Sequence, residues 1–206
     1  MSQTIGSTSL ASRKDSMRKA LLKLAKNRFH ELQSVHQSQE EESKLAAPIS
    51  PTPNLIIEKL LPHLKLDSSQ LMVDLGCGDG RWLFAASQIT QCRSFGIDID
   101  DNRLRLANEM ISDHNLVDKI EVQRRDVFDF VKNDSEFFPL ANVFVLYLFR
   151  DAMIELGKLL RERLRRQERR VCLVSIGFEL PGWNSYHEER INGVKVYLYK
   201  TSLNAK

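Results

Sequence analysis

Gly76, Gly78 and Gly80 close the stretch LMVDLGCGDGRW at residues 71–82, and an acid, Asp74, stands two places ahead of the first. Glycines at that spacing make a tight turn whose backbone a ligand can approach with no side chain in the way. Two more acids follow, Asp98 in GIDID and Asp126 in RRDVFDF. Carboxylates accept hydrogen bonds from amines and hydroxyls, so the pattern suits a grip on a small ligand bearing both. No residue presents itself as a catalytic base, which leaves the catalytic residues unassigned. Cys77, Cys92 and Cys172 lack metal-ligand spacing, and no metal is expected.

Three ligands compete for the glycines. A Walker loop needs Lys and then Ser or Thr after its last glycine, whereas Arg81 and Trp82 stand there. A dinucleotide fold places its third glycine three residues after the second, which would be position 81; here it is Gly80. Asp98 suits the ribose of either remaining ligand. Asp74 separates them: a charged group inside a strand end needs a cationic or hydrogen-bonding partner. The amino group of S-adenosylmethionine (SAM) is such a partner, and an anionic pyrophosphate is not. Asp126 can accept from an adenine amine, with Val127 beside the ring. These residues sit at the carboxyl ends of successive strands, where open α/β sheets bind ligands. Asp74, Gly76, Cys77, Gly78, Gly80, Asp98, Ile99, Asp126, Val127 and Tyr147 form the expected cofactor set. Plainer roles stay open: a bare turn for the glycines, and caps for Asp98 and Asp126. Asp100 and Asp101 read as caps of the next helix, and Cys77 as a small residue with its backbone near the ligand.

The elements that position these residues alternate along the chain. Strands are predicted at Leu71–Leu75, Ser94–Ile97, Ile120–Arg124, Asn142–Leu148 and Val171–Ile176. Helices are predicted from Arg81 to about Ile89, Asn102 to about Asn115, and Asp151 to about Arg166. That alternation, with apolar runs buried on both faces, means a mostly parallel sheet flanked by helices. DVFDFVKNDSEFFPLA reads as irregular, and Asn192-Gly193 between two extended runs as a hairpin. Ahead of the sheet, Thr52 and Pro53 read as cap and first turn of a short helix that ends near Leu61, before Pro62. Residues 1–12 read as disordered. Residues 13–49 read as an amphipathic helix, Asp15 to about Gln33, and a charged linker; residues 50–206 read as the α/β domain.

VDLGCGDGR, GIDID, the acid after the third strand and the terminal hairpin resemble the class I SAM-dependent methyltransferases, over roughly residues 50–202. PTP, VFVLYLFRDAM and VSIGFELPGW are similar to a subgroup of small enzymes, bacterial ones and the ATP synthase c-subunit lysine methyltransferase type. The resemblance implies a Rossmann-like, seven-stranded sheet of order 3-2-1-4-5-7-6, with its last strand antiparallel and helices on both faces. Enzymes of the class that modify base or glutamine amides end the fourth strand in Asn/Asp-Pro-Pro-aromatic. LYLF stands here instead. Tyr147 and Phe149 are expected to wall a lysine-like amine, and Trp183 to face them across the mouth, with core packing the plainer role of all three. No second domain encloses a small substrate, so the expected acceptor is a protein lysine. RNA methylation and non-catalytic binding on a SAM fold are the alternatives.

The chain has 206 residues, 42% apolar and 28% charged, with a formal charge of +3. That charge is too weak to imply nucleic acid. The arginines of RERLRRQERR suit a solvated helix end. No window reaches the roughly 18 apolar residues of a membrane span. Cytoplasm is the default location. The mitochondrial matrix is the alternative, because the basic amphipathic start is also what a presequence looks like. The sequence leaves the oligomeric state open.

Overall fold

The computed structural model of the chain describes residues 10–19, 51–167 and 169–201, and the chain divides into two compact units, 1–47 and 48–206. In the first unit residues 10–19 are helical, with Lys19 and Asp15 paired at 2.8 Å one turn apart. Helix thus includes residues 10–12, which were expected to be disordered. Residues 1–9, the continuation of the amphipathic helix to Gln33, and most of the linker lie outside the described residues.

The second unit carries one seven-stranded sheet, made of β1 (Leu71–Leu75), β2 (Arg93–Asp98), β3 (Ile120–Arg124), β4 (Val143–Leu146), β5 (Cys172–Ile176), β6 (Ser185–Ile191) and β7 (Val194–Lys200). The order is β3-β2-β1-β4-β5-β7-β6, as the resemblance implies, and β7 runs antiparallel to both of its neighbours. Asn192 at φ 50° and Gly193 at φ 81° make the turn between β6 and β7. Both lie in the left-handed region that a two-residue hairpin demands.

All five residues of β1 are buried. Because side chains alternate across a strand, Leu71, Val73 and Leu75 join the core cluster with Phe130, Phe144 and Leu156, while Met72 and Asp74 point the other way. The helices are α1 (Asn54–Leu64), α2 (Arg81–Thr90), α3 (Asp101–Asp113), α4 (Val127–Asn133) and α5 (Arg150–Leu164). Asp100 caps α3 as expected, accepting from Asn102 N at 2.9 Å and Arg103 N at 3.4 Å.

Three expectations are corrected. Thr52 does not cap α1, which starts at Asn54 with no side-chain cap. Two buried donors of α2 claim its oxygens instead: Trp82 Nε1 reaches the hydroxyl at 3.2 Å and Arg81 Nη1 the carbonyl at 2.9 Å. Nor does Pro62 end α1, whose buried face continues through Leu64 until Lys65 turns left-handed at φ 52°. The segment predicted as irregular holds α4 and a 3-10 turn at Phe138–Leu140. Its supports are remote in sequence. Arg163 Nη1 donates to Phe130 O at 3.1 Å and to Val131 O at 2.6 Å, closing the carbonyl end of α4. Asp134 Oδ1 accepts from Phe137 N at 2.7 Å and Phe138 N at 2.8 Å, starting the turn.

Candidate cofactor and acceptor site

The loop after β1 folds onto the end of β2. Gly76 N and Cys77 N both donate to Ile97 O, at 2.9 and 2.8 Å, and Gly78 N donates to Asp98 Oδ2 at 2.8 Å. Gly76, Gly78 and Gly80 take φ of +89°, +55° and +75°, a region costly for any residue with a Cβ. A Cβ on Gly76 would lie 2.6 Å from Leu148 Cδ2, whereas one on Gly78 would meet no atom within 4 Å. Gly76 is thus held by packing, and Gly78 borders open space where a ligand can lie on the backbone. The Cys77 thiol is turned away: a Cβ on Gly96 of β2 would sit 2.8 Å from its Sγ. Burial, with Asp74 close by, pushes that thiol well above its usual range.

Three acids gather here. Asp98 is buried, and its two oxygens accept backbone N–H groups, Oδ2 from Gly78 and Oδ1 from Asp100 at 2.9 Å. A carboxylate has about four acceptor positions, so Asp98 builds the loop and keeps capacity for a ligand hydroxyl. Asp79 is buried against Arg81, with Nε to Oδ1 at 2.9 Å and Nη2 to Oδ2 at 2.5 Å. Asp74 differs from both. It is 4% exposed and accepts no hydrogen bond among the described residues. Burial first, then Asp98 and Asp79, push its carboxyl well above the usual range. An acid in that state favours a cation placed beside it. The amine of SAM fits that need, and open Gly78 fits the approach of its main chain.

Asp126 is exposed and caps α4, with Oδ1 accepting from Phe128 N and Asp129 N at 2.9 Å each. The cap uses Oδ1, so Oδ2 is left for the expected adenine contact and one residue can serve both. Val127 behind it is half-buried, and Ile99, after Asp98, is 64% exposed.

Beyond the glycine loop the character changes. Tyr147 is half-buried after β4, its Cε2 3.6 Å from where a Cβ of Gly177 would be. Phe149 is exposed, and so is Phe178 after β5. A groove of about 450 Å³ runs beside them, lined by Arg150, Ile154, Gly177, Phe178, Glu179 and Tyr197. Phe178 was not singled out from sequence. The sign was there, in Gly177 directly after a strand, and its φ of +86° turns the chain outward at that point.

Trp183 is not brought to this mouth. Its indole donates to Gly157 O at 3.0 Å, midway along α5, and it meets Tyr199 edge-on at 6.0 Å. Tyr199 pairs with Leu173, near the start of β5. Trp183 therefore lies toward the opposite end of the sheet, because the chain after β5 must travel back to begin β6.

Comparison with known proteins agrees with the fold. The family described as "ANTKMT methyltransferase domain" matches residues 74–187, more than half of the chain. A curated protein-lysine N-methyltransferase of Saccharolobus islandicus is 29% identical over 138 residues, 66% of this chain and 80% of that protein. An RNA methyltransferase from Salinibacter ruber, solved with S-adenosyl-L-homocysteine, is 26% identical. It superposes with a TM-score of 0.64 over 73% of this chain and 93% of its own. A methyltransferase from Geobacter sulfurreducens shares the fold, at 13% identity and a TM-score of 0.57, over 84% of this chain and 98% of its own.

Proposed function

This chain belongs to the family of ANTKMT methyltransferase domains and is a SAM-dependent methyltransferase; on that premise we propose that its acceptor is a lysine ε-amine of a protein. SAM supplies a methyl group already activated on a sulfonium, so the difficult chemistry belongs to the cofactor. The chain has to bind, align and let a proton leave. In this reading Asp74 takes the donor's amine and Asp98 the ribose hydroxyls. Asp126 takes the adenine amine, with Ile99 and Val127 against the ring. The backbone from Gly76 to Gly80, including Cys77, lies under the donor's main chain.

One observation carries the acceptor assignment. The carboxyl end of β4 presents Tyr147 and Phe149, with no side-chain amide or acid in LYLF to hold a planar NH2. Aromatic faces attract an ammonium through cation–π contact. A lysine must then shed a proton before its lone pair can attack, and Phe149 at 48% exposure borders a mouth where water can take it. Alignment of amine, methyl and sulfur can contribute on the order of 7 kcal/mol, so no dedicated base is needed. The Saccharolobus islandicus relative supports a protein acceptor.

RNA is the second reading, favoured by the Salinibacter ruber structure. The test is incubation of the protein with methyl-labelled SAM and cell extract. Label is expected in protein and, after hydrolysis, in methyllysine; label confined to RNA would reject the lysine reading. The site of action proposed is the cytoplasm, with the mitochondrial matrix as the alternative. N-terminal sequencing of the native protein separates them.

A further inference from the structure

Asp79 and Arg81 are not needed to describe the grip on the donor, yet they are the most heavily bonded side chains of the loop. Both are buried, at 6% and 5% exposure. The guanidinium meets the carboxylate at two points and adds a third bond, to Thr52 O at 2.9 Å. A buried ion pair is weak evidence for stability in itself, because desolvation offsets much of its attraction. A role beyond stability follows from what surrounds it.

Each acid of the loop has a different partner. Asp98 has two backbone N–H groups, and Asp79 has Arg81. Asp74 has neither. In the sheet, Asp74 stands between Gly96 of β2 and Val145 of β4, which carry no charge. Among the described residues, Asp98 and Asp79 act on it, it acts in turn on the Cys77 thiol, and the cation paired within the cluster is Arg81. We propose that Arg81 is a positioning residue for the methyl donor. By holding Asp79 in a two-point ion pair it leaves Asp74 as the acid that takes the donor's amine, and so sets the pH range in which the donor binds. The inference rests on the cofactor part of the reading above and not on the identity of the acceptor.

The two halves of the pair should act in opposite directions. With Arg81→Gln, the Asp79 charge acts on Asp74 without its counter-charge, and ionising Asp74 becomes harder. With Asp79→Asn, the cation stays and the competing acid goes, so ionising Asp74 becomes easier. A purely structural brace would weaken binding in both variants alike, and equally at every pH.

The experiment is calorimetric titration of SAM into the full-length protein, wild type and variants, from about pH 6 to 9. The donor's own amine titrates across that range, but identically for every variant, so affinity ratios to wild type isolate the protein. Arg81→Gln is expected to lose about tenfold at the low end and less than about twofold at the high end, the size of one charge neighbour. Asp79→Asn is expected to move the binding profile to lower pH. The double variant is expected to regain the wild-type profile, although its bond to Thr52 is still missing. Flat ratios for both single variants, or shifts of the same sign, would overturn the proposal. If Arg81→Gln does not fold, by circular dichroism, the downward shift of Asp79→Asn decides alone. A wild type that binds no SAM would overturn the cofactor reading and this inference together. Label found only in RNA would reject the lysine acceptor and leave this one standing.

Discussion

Asp74, at the end of β1, and Asp134, after α4, are both buried acids, and their surroundings could hardly differ more. Asp134 accepts from three backbone N–H groups, those of Glu136, Phe137 and Phe138, and from Arg125 Nη1 at 2.7 Å. Burial alone would push its carboxyl up. The Phe138 N–H, Arg125 and the Phe137 N–H outweigh that, and its carboxyl ends below the usual range. Asp74 has burial and two neighbouring acids, and its carboxyl is driven the other way. A buried charge with its partners in place organises the fold. One without them burdens the fold, and in the reading proposed above the donor's amine relieves that burden.

The contrast breaks most sharply under substitution. Asp134→Ala is expected to cost about 3 kcal/mol, because Arg125 and several N–H groups lose their acceptor. Thermal denaturation should show a melting temperature lower by about 6–12 °C, with SAM affinity unchanged in whatever remains folded. Asp74→Asn should do the reverse. The ligand-free protein melts about 2–4 °C higher, since a strained charge is gone. SAM affinity by calorimetry falls about thirtyfold or more, the usual effect of removing one member of a buried charged contact. If Asp74→Asn melts lower than wild type, Asp74 is a structural acid and the contrast fails.

The same pair sharpens with pH. Asp134, lowered, contributes stability above the ordinary carboxylate range, and that contribution disappears as pH falls through its folded value. Asp74, raised, does the opposite: stability is present at acid pH and is lost as pH climbs through its folded value. Relative to Asp74→Asn, the ligand-free wild type should therefore weaken as pH rises from about 4. A smaller effect is expected at the aromatic mouth. Phe149→Ala and Phe178→Ala should each raise KM for the protein acceptor about tenfold, the loss of an interface anchor, and leave SAM affinity alone. The smallest is Trp183→Phe. It removes one hydrogen bond to Gly157 for about 1 kcal/mol of stability, with KM for either substrate unchanged.

The tight glycine turn and its contact with the end of β2 were legible because their signals are local. Three alternate glycines, an acid two places before them and an acid at the next strand end all fall within 25 residues of chain, Asp74 to Asp98. Asn192-Gly193 named the hairpin for the same reason. What sequence did not reveal is joined across long separations. Arg163 supports α4 from more than 30 residues away, and Thr52 is drawn off its capping role by α2. Trp183 read as a mouth residue because it follows Gly182 just beyond a strand. Only the register of β5 with β7 shows that the chain has already travelled back down the sheet.

That return has a consequence for how the molecule is made. β7, which follows β6 in the chain, inserts between β5 and β6 instead of adding to an edge. Thr201 then fastens it, its hydroxyl accepting from Val171 N at 2.8 Å and donating to Arg169 O at 3.1 Å. Until β7 is in place, β5 presents a bare apolar rim of unpaired amides and carbonyls, the kind of border that invites aggregation. The sheet therefore closes only once β7 has entered it, and a chain stopped short of Val194 leaves that rim for chaperones to shield.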